Sequence, residues 1–432
     1  MIKKIRTEDL QVGMFVADFN TPWLRHPFLT NRKTVRNLRE IQVVLDHGIA
    51  EVYIDTDRGK DSPKAYEVDE ADESLRRRLQ EELDQLQAPR EETEPSSTEE
   101  VTFEEELRKA KEIYAEAKEV VRKAFEDVRQ GGAVDGEKAR GSVTRMVDSI
   151  FRNRDALLSL SRLKSFDDYT LNHCLNVCVL SLNLGAQLGI LHDELLRLGL
   201  GAILHDLGKT RIPPELLQKE GTLTPQEFEV MKTHAAHGAS ILLRCSAIPD
   251  DCALVALNHH ERYDGSGYPR GVGGLGAGKF GLIAAIADVY DAMTSDRIYH
   301  RAIPPSLALK RAYEWAGSLF HPIYVRKFIQ CLGIYPVGSV VRLDSGEVGV
   351  VLRQNREDLP RPWIRLVKDR NGRPLAEPLD LNLREPAADG NTPSSRSVER
   401  VLDSAAAGLD VHGILDRRGS PSSSERLTVV LG

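Results

Sequence analysis

GAILHDLGK, residues 201–209, sets a histidine beside an aspartate at the end of an apolar run, and its reading decides the fold. A carboxylate among apolar helical residues is costly unless it is paired or binds a metal. The same anomaly recurs on either side. His173 ends YTLNH (169–173), His234 ends MKTH (231–234), His259 and His260 stand together in LNHHERYDG (257–265), and Asp288 lies in AAIADVYDAMTSDR (284–297). A lone core histidine is usually just hydrogen-bonded. Several metal-type ligands emerging from apolar helices point instead to a metal site built from nitrogen and oxygen donors, a set that suits iron, manganese, zinc or nickel.

From Tyr169 to Leu332 nearly every segment has helical period, and Pro213, Pro225, Pro249, Pro304 and Pro322 stand where helices can start. An all-α catalytic domain is therefore expected over residues 166–335 of a mainly α chain. Before it, residues 1–58 read as a small β-rich domain. Its strand-like runs are Ile2–Ile5, Met14–Phe19 and Val52–Ile54, with a helical pattern over Arg36–Asp46. Residues 59–100 form a linker in which acidic residues outnumber basic ones. Residues 101–165 form a helical connector, opened by the capping box Thr102–Glu105. Its first helix carries the stripe Phe103, Leu107, Tyr114, Ala117, Val121, Ala124, Phe125 and Val128. Its second shows Val143, Met146, Val147, Ile150 and Phe151 on one face. Residues 336–384 switch to a short β segment, and 385–432 are a loose tail rich in Ser, Gly, Pro and Asp.

The 432 residues carry a net charge of -7 and no basic run, which argues against DNA or RNA as a partner. The start MIKKIRTEDL lacks the apolar stretch of a secretory signal, and no window is apolar enough to cross a membrane. Five cysteines without a C-x-x-C pair argue against a disulfide framework or a zinc ribbon; Cys174, Cys178, Cys245 and Cys252 are expected in the core. A cytoplasmic protein is expected.

Two carboxylates and neutral imidazoles around two divalent cations leave a positive centre, suited to a phosphodiester. Lys209, three residues beyond Asp206, shares its face if the helix continues, and its ammonium can then reach a phosphate; a capping lysine is the competing reading. Arg297 can reach the same place through a turn.

On these residues the chain resembles the HD-GYP family of the HD phosphohydrolases. The resemblance rests on His205-Asp206 within HDLGK, on HHERYDGSGYP (259–269) with Gly267, Tyr268 and Pro269, and on IPPELLQKEGTLTPQEFEVMKTH and IADVYDAMTSDRIYHRA. Residues 1–58 resemble a small domain of unknown role that often precedes this unit. The resemblance implies an HD-type helical bundle that hydrolyses cyclic di-GMP to GMP, in some members through the linear dinucleotide pGpG. The metal ligands it implies are His173, His205, Asp206, His234, His259, His260 and Asp288. They would hold two divalent ions, iron or manganese, with Asp206 and a hydroxide nucleophile between them. Lys209 and Arg297 would contact phosphate, and Tyr268 and His300 would lie on the substrate side.

Three departures matter. Where some members carry a glutamate for a third metal, this chain has Tyr169, so two metals are expected. His300 stands where many members have a second basic residue. The loop GVGGLGAGKF (271–280) lacks the usual acidic and polar residues. Its G-x-x-x-x-G-K pattern, Gly273–Lys279, is followed by Phe280 rather than Ser or Thr and follows a turn, so a phosphate-binding P-loop is not expected. The competing functional reading is a weakly active scaffold that binds diguanylate cyclases or cyclic di-GMP through the GYP surface. A mixed cyclic dinucleotide as substrate, and a homodimer, also stay open.

Overall fold

A computed structural model describes residues 2–19, 33–46, 49–67, 101–161, 169–219, 221–245, 247–295, 302–355, 358–385, 396–402 and 407–416. The chain divides into two compact units, residues 1–92 with 218–225, and residues 93–217 with 226–432.

In the first unit, strands β1 (Ile2–Arg6), β2 (Phe15–Asp18), β3 (Lys33–Thr34), β4 (Glu51–Asp55) and β5 (Tyr66–Glu67) form an antiparallel sheet in the order β3-β2-β4-β1-β5. Helix α1 (Leu38–Asp46) contributes Ile41 and Val44 to a core shared with Ile5, Met14, Val16, Val52 and Ile54. The three strand-like runs and the helix read from sequence are all present. The two short edge strands lack a pattern long enough to read. The last of them, β5, lies inside the stretch expected to be linker; residues 68–100 fall outside the described residues.

The second unit begins with α2 (Phe103–Arg129), α3 (Gly136–Arg152) and α4 (Arg154–Leu160). Thr102 caps α2 in the expected box: Glu105 N donates to Thr102 Oγ1 at 3.4 Å, and Thr102 N donates to Glu105 Oε2 at 3.3 Å. Val143, Met146, Val147 and Ile150 of α3 are buried, but Phe151 is 42% exposed and turns out of that face. Glu106, fully buried in α2, accepts from Ser149 Oγ at 2.6 Å and from the Arg152 guanidinium at 2.8 Å through both carboxylate oxygens. Burial opposes its ionisation, but Arg152 and Ser149 outweigh that and hold its carboxyl below the ordinary value. Its stabilisation is therefore present above the ordinary carboxylate pKa and is lost as pH falls through the lowered one. Glu106→Ala is expected to destabilise the protein by about 3 kcal/mol, the lower end for breaking a buried pair because Arg152 keeps some water contact. Chemical denaturation at neutral pH measures this, and a change within about 0.5 kcal/mol would show the pair to be unimportant.

Helix α5 (Tyr169–Gln187) is buried on every side from Asn172 to Gly185, which makes it the central helix of the bundle. Around it pack α2, α3, α4, α6 (His192–Ile203), α10 (Gly278–Thr294) and α12 (Pro322–Leu332). Between α6 and α10 run α7 (Pro214–Leu217), α8 (Pro225–Leu242) and α9 (Asp250–Asn258), and α11 (Pro305–Glu314) follows α10. Each of the five prolines stands at a helix start or immediately before one. Cys174, Cys178, Cys245 and Cys252 are buried free thiols.

Strands β6 (Val340–Leu343), β7 (Val348–Arg353), β8 (Trp363–Lys368), β9 (Pro374–Asn382) and β10 (Val398–Leu402) form a second antiparallel sheet, ordered β10-β6-β7-β8-β9. This sheet reaches beyond residue 384. Strand β10 pairs with β6, and α13 (Val411–Asp416) packs on β7. The stretch expected to be a loose tail thus holds a strand and a helix. Arg365 of β8 ties the helix down, donating to the carbonyl of Ile414 at 2.7 Å while it donates to both oxygens of Asp380 on β9 at 2.6 and 2.7 Å. Among the described residues no helix is long and apolar enough to cross a membrane.

Candidate metal centre

The apolar run of α6 ends at Ile203, and the chain leaves the helix before His205. His205 and Asp206 lie in a turn, and Leu207–Arg211 form a 3-10 helix. Of the two readings of this stretch, a helix continuing through Lys209 gives way to a tighter turn. The cause is packing. A Cβ on Gly208 would overlap the backbone carbonyl of His234 and the amide of Gly238, so only glycine lets the turn press backbone to backbone against α8. That contact brings His234 to His205 and Asp206. Lys209 still reaches Asp206, its Nζ donating to Oδ2 at 2.5 Å, because three residues also make one turn of a 3-10 helix.

All seven expected ligands gather at this place. The Nδ1 atoms of His205, His234 and His259 lie 2.8, 2.7 and 2.8 Å from the carbonyl oxygens of Ala202, Met231 and Ala256. His173 Nδ1 lies 2.7 Å from Asp291 Oδ2. Carbonyls and carboxylates only accept, so Nδ1 carries the proton in all four rings and Nε2 is left to face inward.

The four Nε2 atoms surround Asp206. Its Oδ2 faces those of His173 and His205 at 3.8 and 3.4 Å, and its Oδ1 faces those of His234 and His259 at 3.5 and 3.9 Å. Asp288 spans the same gap, with Oδ1 3.0 Å from His173 Nε2 and Oδ2 3.7 Å from His260 Nδ1. Two sets of donor atoms, His173-His205-Asp206 and His234-His259-His260, each lie within 4.8 Å of one another and can each hold an ion.

Three features suit cations. His205 Nε2 and Asp206 Oδ1 are buried without a hydrogen-bond partner, a cost that a cation removes. The Nε2 atoms of His234 and His259 stand 3.3 Å apart with both protons committed elsewhere, so two lone pairs face each other. The protonation states match as well. Burial and the neighbouring histidines lower His259 to about 3 and push His260 well down, and burial lowers His234, so all three are neutral donors. Burial opposes the charge on Asp206, but the Lys209 ammonium beside it outweighs that and keeps its carboxyl well below the ordinary value. Burial likewise opposes the charge on Asp288, and His173 and His260 outweigh it. His173 differs: the carboxylates of Asp288 and Asp291 overcome burial and raise it to about 9, so it carries the proton that a cation would replace.

Tyr169 stacks on His173 with ring centroids 5.8 Å apart, where a third-metal carboxylate was weighed from sequence; it offers none. Tyr268 follows the HHE stretch. Its ring lies 4.6 Å from that of His260, and its peptide bond to Pro269 is cis. Gly267 has no room for a Cβ, which would overlap the backbone at Glu261 and Arg262. Glu261, fully buried, accepts from Arg270 N at 2.8 Å and Val272 N at 3.1 Å and so pins the GYP loop to the two histidines before it. Asp264 holds the turn by accepting from Ser266 N at 2.9 Å. His237 is exposed on α8. Lys279, of the P-loop-like pattern, donates to Glu194 at 2.5 Å on a helix that no strand precedes. Arg297 and His300 lie outside the described residues.

Two residues missed from sequence are Asn176 and Tyr114, the latter legible only as part of an apolar stripe. Both turn out to be joined to His173 through Asp291. The available signal was a polar residue three positions beyond His173 within a buried helix.

A helical bundle with a buried HD pair at the centre of a histidine cluster defines an HD-type phosphohydrolase. Comparison with known proteins agrees. Residues 148–322 match the HD domain, and residues 2–139 match a domain of unknown function, DUF3391. A cyclic di-GMP phosphodiesterase of Pseudomonas aeruginosa is 38% identical over 370 residues, 85% of each chain. A cyclic di-GMP phosphodiesterase of Thermotoga maritima is 38% identical over 188 residues, 43% of this chain and 50% of that one. A 3'3'-cGAMP-specific phosphodiesterase of Vibrio cholerae is 36% identical over 168 residues, 39% of this chain and 36% of that one. The chain belongs to the HD-GYP family of HD phosphohydrolases.

Proposed function

We propose that this chain hydrolyses cyclic di-GMP to GMP, with pGpG as the linear intermediate, at a centre holding two divalent ions of iron or manganese. The observation that carries this reading is the convergence of four imidazole Nε2 atoms on the two oxygens of one buried carboxylate, Asp206. His173 and His205 would hold one ion and His234, His259 and His260 the other, with the carboxylates of Asp206 and Asp288 within reach of both sets. When bound, the cations offset phosphodiester charge and activate water at neutral pH.

The chain's own groups do the positioning. Asp291 and the backbone carbonyls of Ala202, Met231 and Ala256 fix which imidazole nitrogen is offered. Lys209 pairs with Asp206 in this structure and keeps part of its side chain exposed, so its ammonium can turn to a non-bridging phosphate oxygen. Tyr268, beside His260, offers a ring face to a guanine base. Arg297 and His300 are assigned to the substrate side from sequence alone.

Protein reconstituted anaerobically with iron(II), or with manganese(II), is expected to consume cyclic di-GMP and release GMP, faster than it consumes 3'3'-cGAMP in a parallel reaction. Chelator treatment is expected to abolish turnover, and added metal to restore it. Intact cyclic di-GMP after incubation with the loaded protein overturns the activity. Faster turnover of 3'3'-cGAMP overturns the substrate while leaving the centre standing.

A further inference from the structure

We infer that Tyr114, on the connector helix α2 and outside the stretch that matches the HD domain, is a positioning residue for the metal ligand His173. The inference rests on the metal-centre reading above. Tyr114 Oη donates to Asn176 Oδ1 at 2.8 Å, Asn176 Nδ2 donates to Asp291 Oδ1 at 3.0 Å, and Asp291 Oδ2 accepts from His173 Nδ1 at 2.7 Å. Each link fixes the next. A carboxylate only accepts, so Asp291 requires the amide nitrogen of Asn176 to face it. The amide oxygen of Asn176, in a side chain that is 1% exposed, must then face the other way and needs a donor there. The Tyr114 hydroxyl is that donor. Ser295 Oγ donates to the backbone carbonyl of Asp291 at 2.7 Å and lies 3.2 Å from its Oδ2. The chain of bonds crosses from α2 through α5 to α10 and ends on a ring whose Nε2 faces Asp288 and Asp206.

Without the hydroxyl, Asn176 Oδ1 loses its donor, the amide loses its preferred orientation, and Asp291 holds His173 less firmly. Outer partners of metal-bound histidines are worth about 10- to 100-fold in metal affinity, and Tyr114 acts two bonds further out, so the lower figure applies.

The test is Co2+ affinity, measured by competition with a chromogenic chelator, together with the visible spectrum of the Co2+ protein. Tyr114→Phe keeps the ring and removes only the hydroxyl. It is expected to weaken binding at the tighter-affected site about 10-fold and to change the Co2+ absorption bands, with folding intact by circular dichroism. Ile113→Ala, at a buried neighbour on the same helix with no polar link to the centre, serves as the structural control and is expected to leave both readouts unchanged. Unchanged affinity and spectrum in Tyr114→Phe, or equal changes in Ile113→Ala, overturn the role of Tyr114 while wild-type binding leaves the metal centre standing. Absence of Co2+ binding by the wild type overturns both.

Discussion

Asp206→Asn is expected to lower turnover of cyclic di-GMP by at least about a thousandfold, and to reduce the divalent metal retained by the purified protein. The substitution keeps shape and removes one charge and one acceptor oxygen. Asp206 presents Oδ2 to His173 and His205 and Oδ1 to His234 and His259. An amide can turn its oxygen toward only one of these pairs, and whichever pair meets the NH2 group loses its anionic ligand. The centre also becomes one unit more positive, which weakens retention of both ions. Metal-supplied stabilisation of a phosphoryl transition state is worth several kcal/mol, and about 4 kcal/mol corresponds to roughly a thousandfold in rate. Protonation does not mimic the variant near neutral pH, because the Lys209 ammonium holds the carboxyl ionised against burial. Elemental analysis and initial rates at saturating manganese(II) check the expectation. Turnover within tenfold of wild type, with full metal content, would overturn the assignment of Asp206 as a metal ligand.

The parts of this molecule that were legible in its sequence share a physical property: they depend on neighbours close in the chain. Helical period over α5 and α10, proline at helix starts and the Thr102–Glu105 box are local, and all are present. The seven candidate ligands, which the fold gathers in one place, were legible because charge and imidazole are conspicuous in apolar runs. What stayed hidden depends on partners far along the chain. Strand β10 has an unremarkable sequence and exists through pairing with β6. Tyr114 reads as apolar because its ring is; its hydroxyl finds a partner 62 residues away. Asp291 is legible as a residue that could support a ligand or cap a helix, but that its partner is His173, 118 residues away, is not. The same holds for Phe151, which fits the apolar periodicity of α3 and yet is exposed. The break from helix to turn at His205 is the clearest case, because its cause is a surface of α8 that the run Gly201–Lys209 does not contain.

That break leads to the second large effect. Gly208→Ala is expected to reduce activity about a hundredfold and to lower the melting temperature, although residue 208 carries no chemistry. The added methyl meets the carbonyl of His234 and the amide of Gly238, both backbone atoms of a continuous helix, so no side chain can swing aside. Either α8 retreats or the 207–211 turn shifts; overpacking of this kind costs about 1–3 kcal/mol in stability. Both movements separate His234 from Asp206, whose Nε2 and Oδ1 stand 3.5 Å apart, and so divide the two donor sets. Displacements near 1 Å in a reacting site cost about a hundredfold. Gly201→Ala supplies the comparison. Its methyl would lie 2.5 Å from Val255 Cγ2 and 2.6 Å from Cys252 O, between α6 and α9, with no ligand in contact. The two variants should therefore lose similar stability while Gly208→Ala loses far more turnover per remaining folded molecule. If both lost activity only in proportion to folded protein, the backbone contact at Gly208 would be a packing feature alone, and the spacing of His234 from Asp206 would have to be set elsewhere.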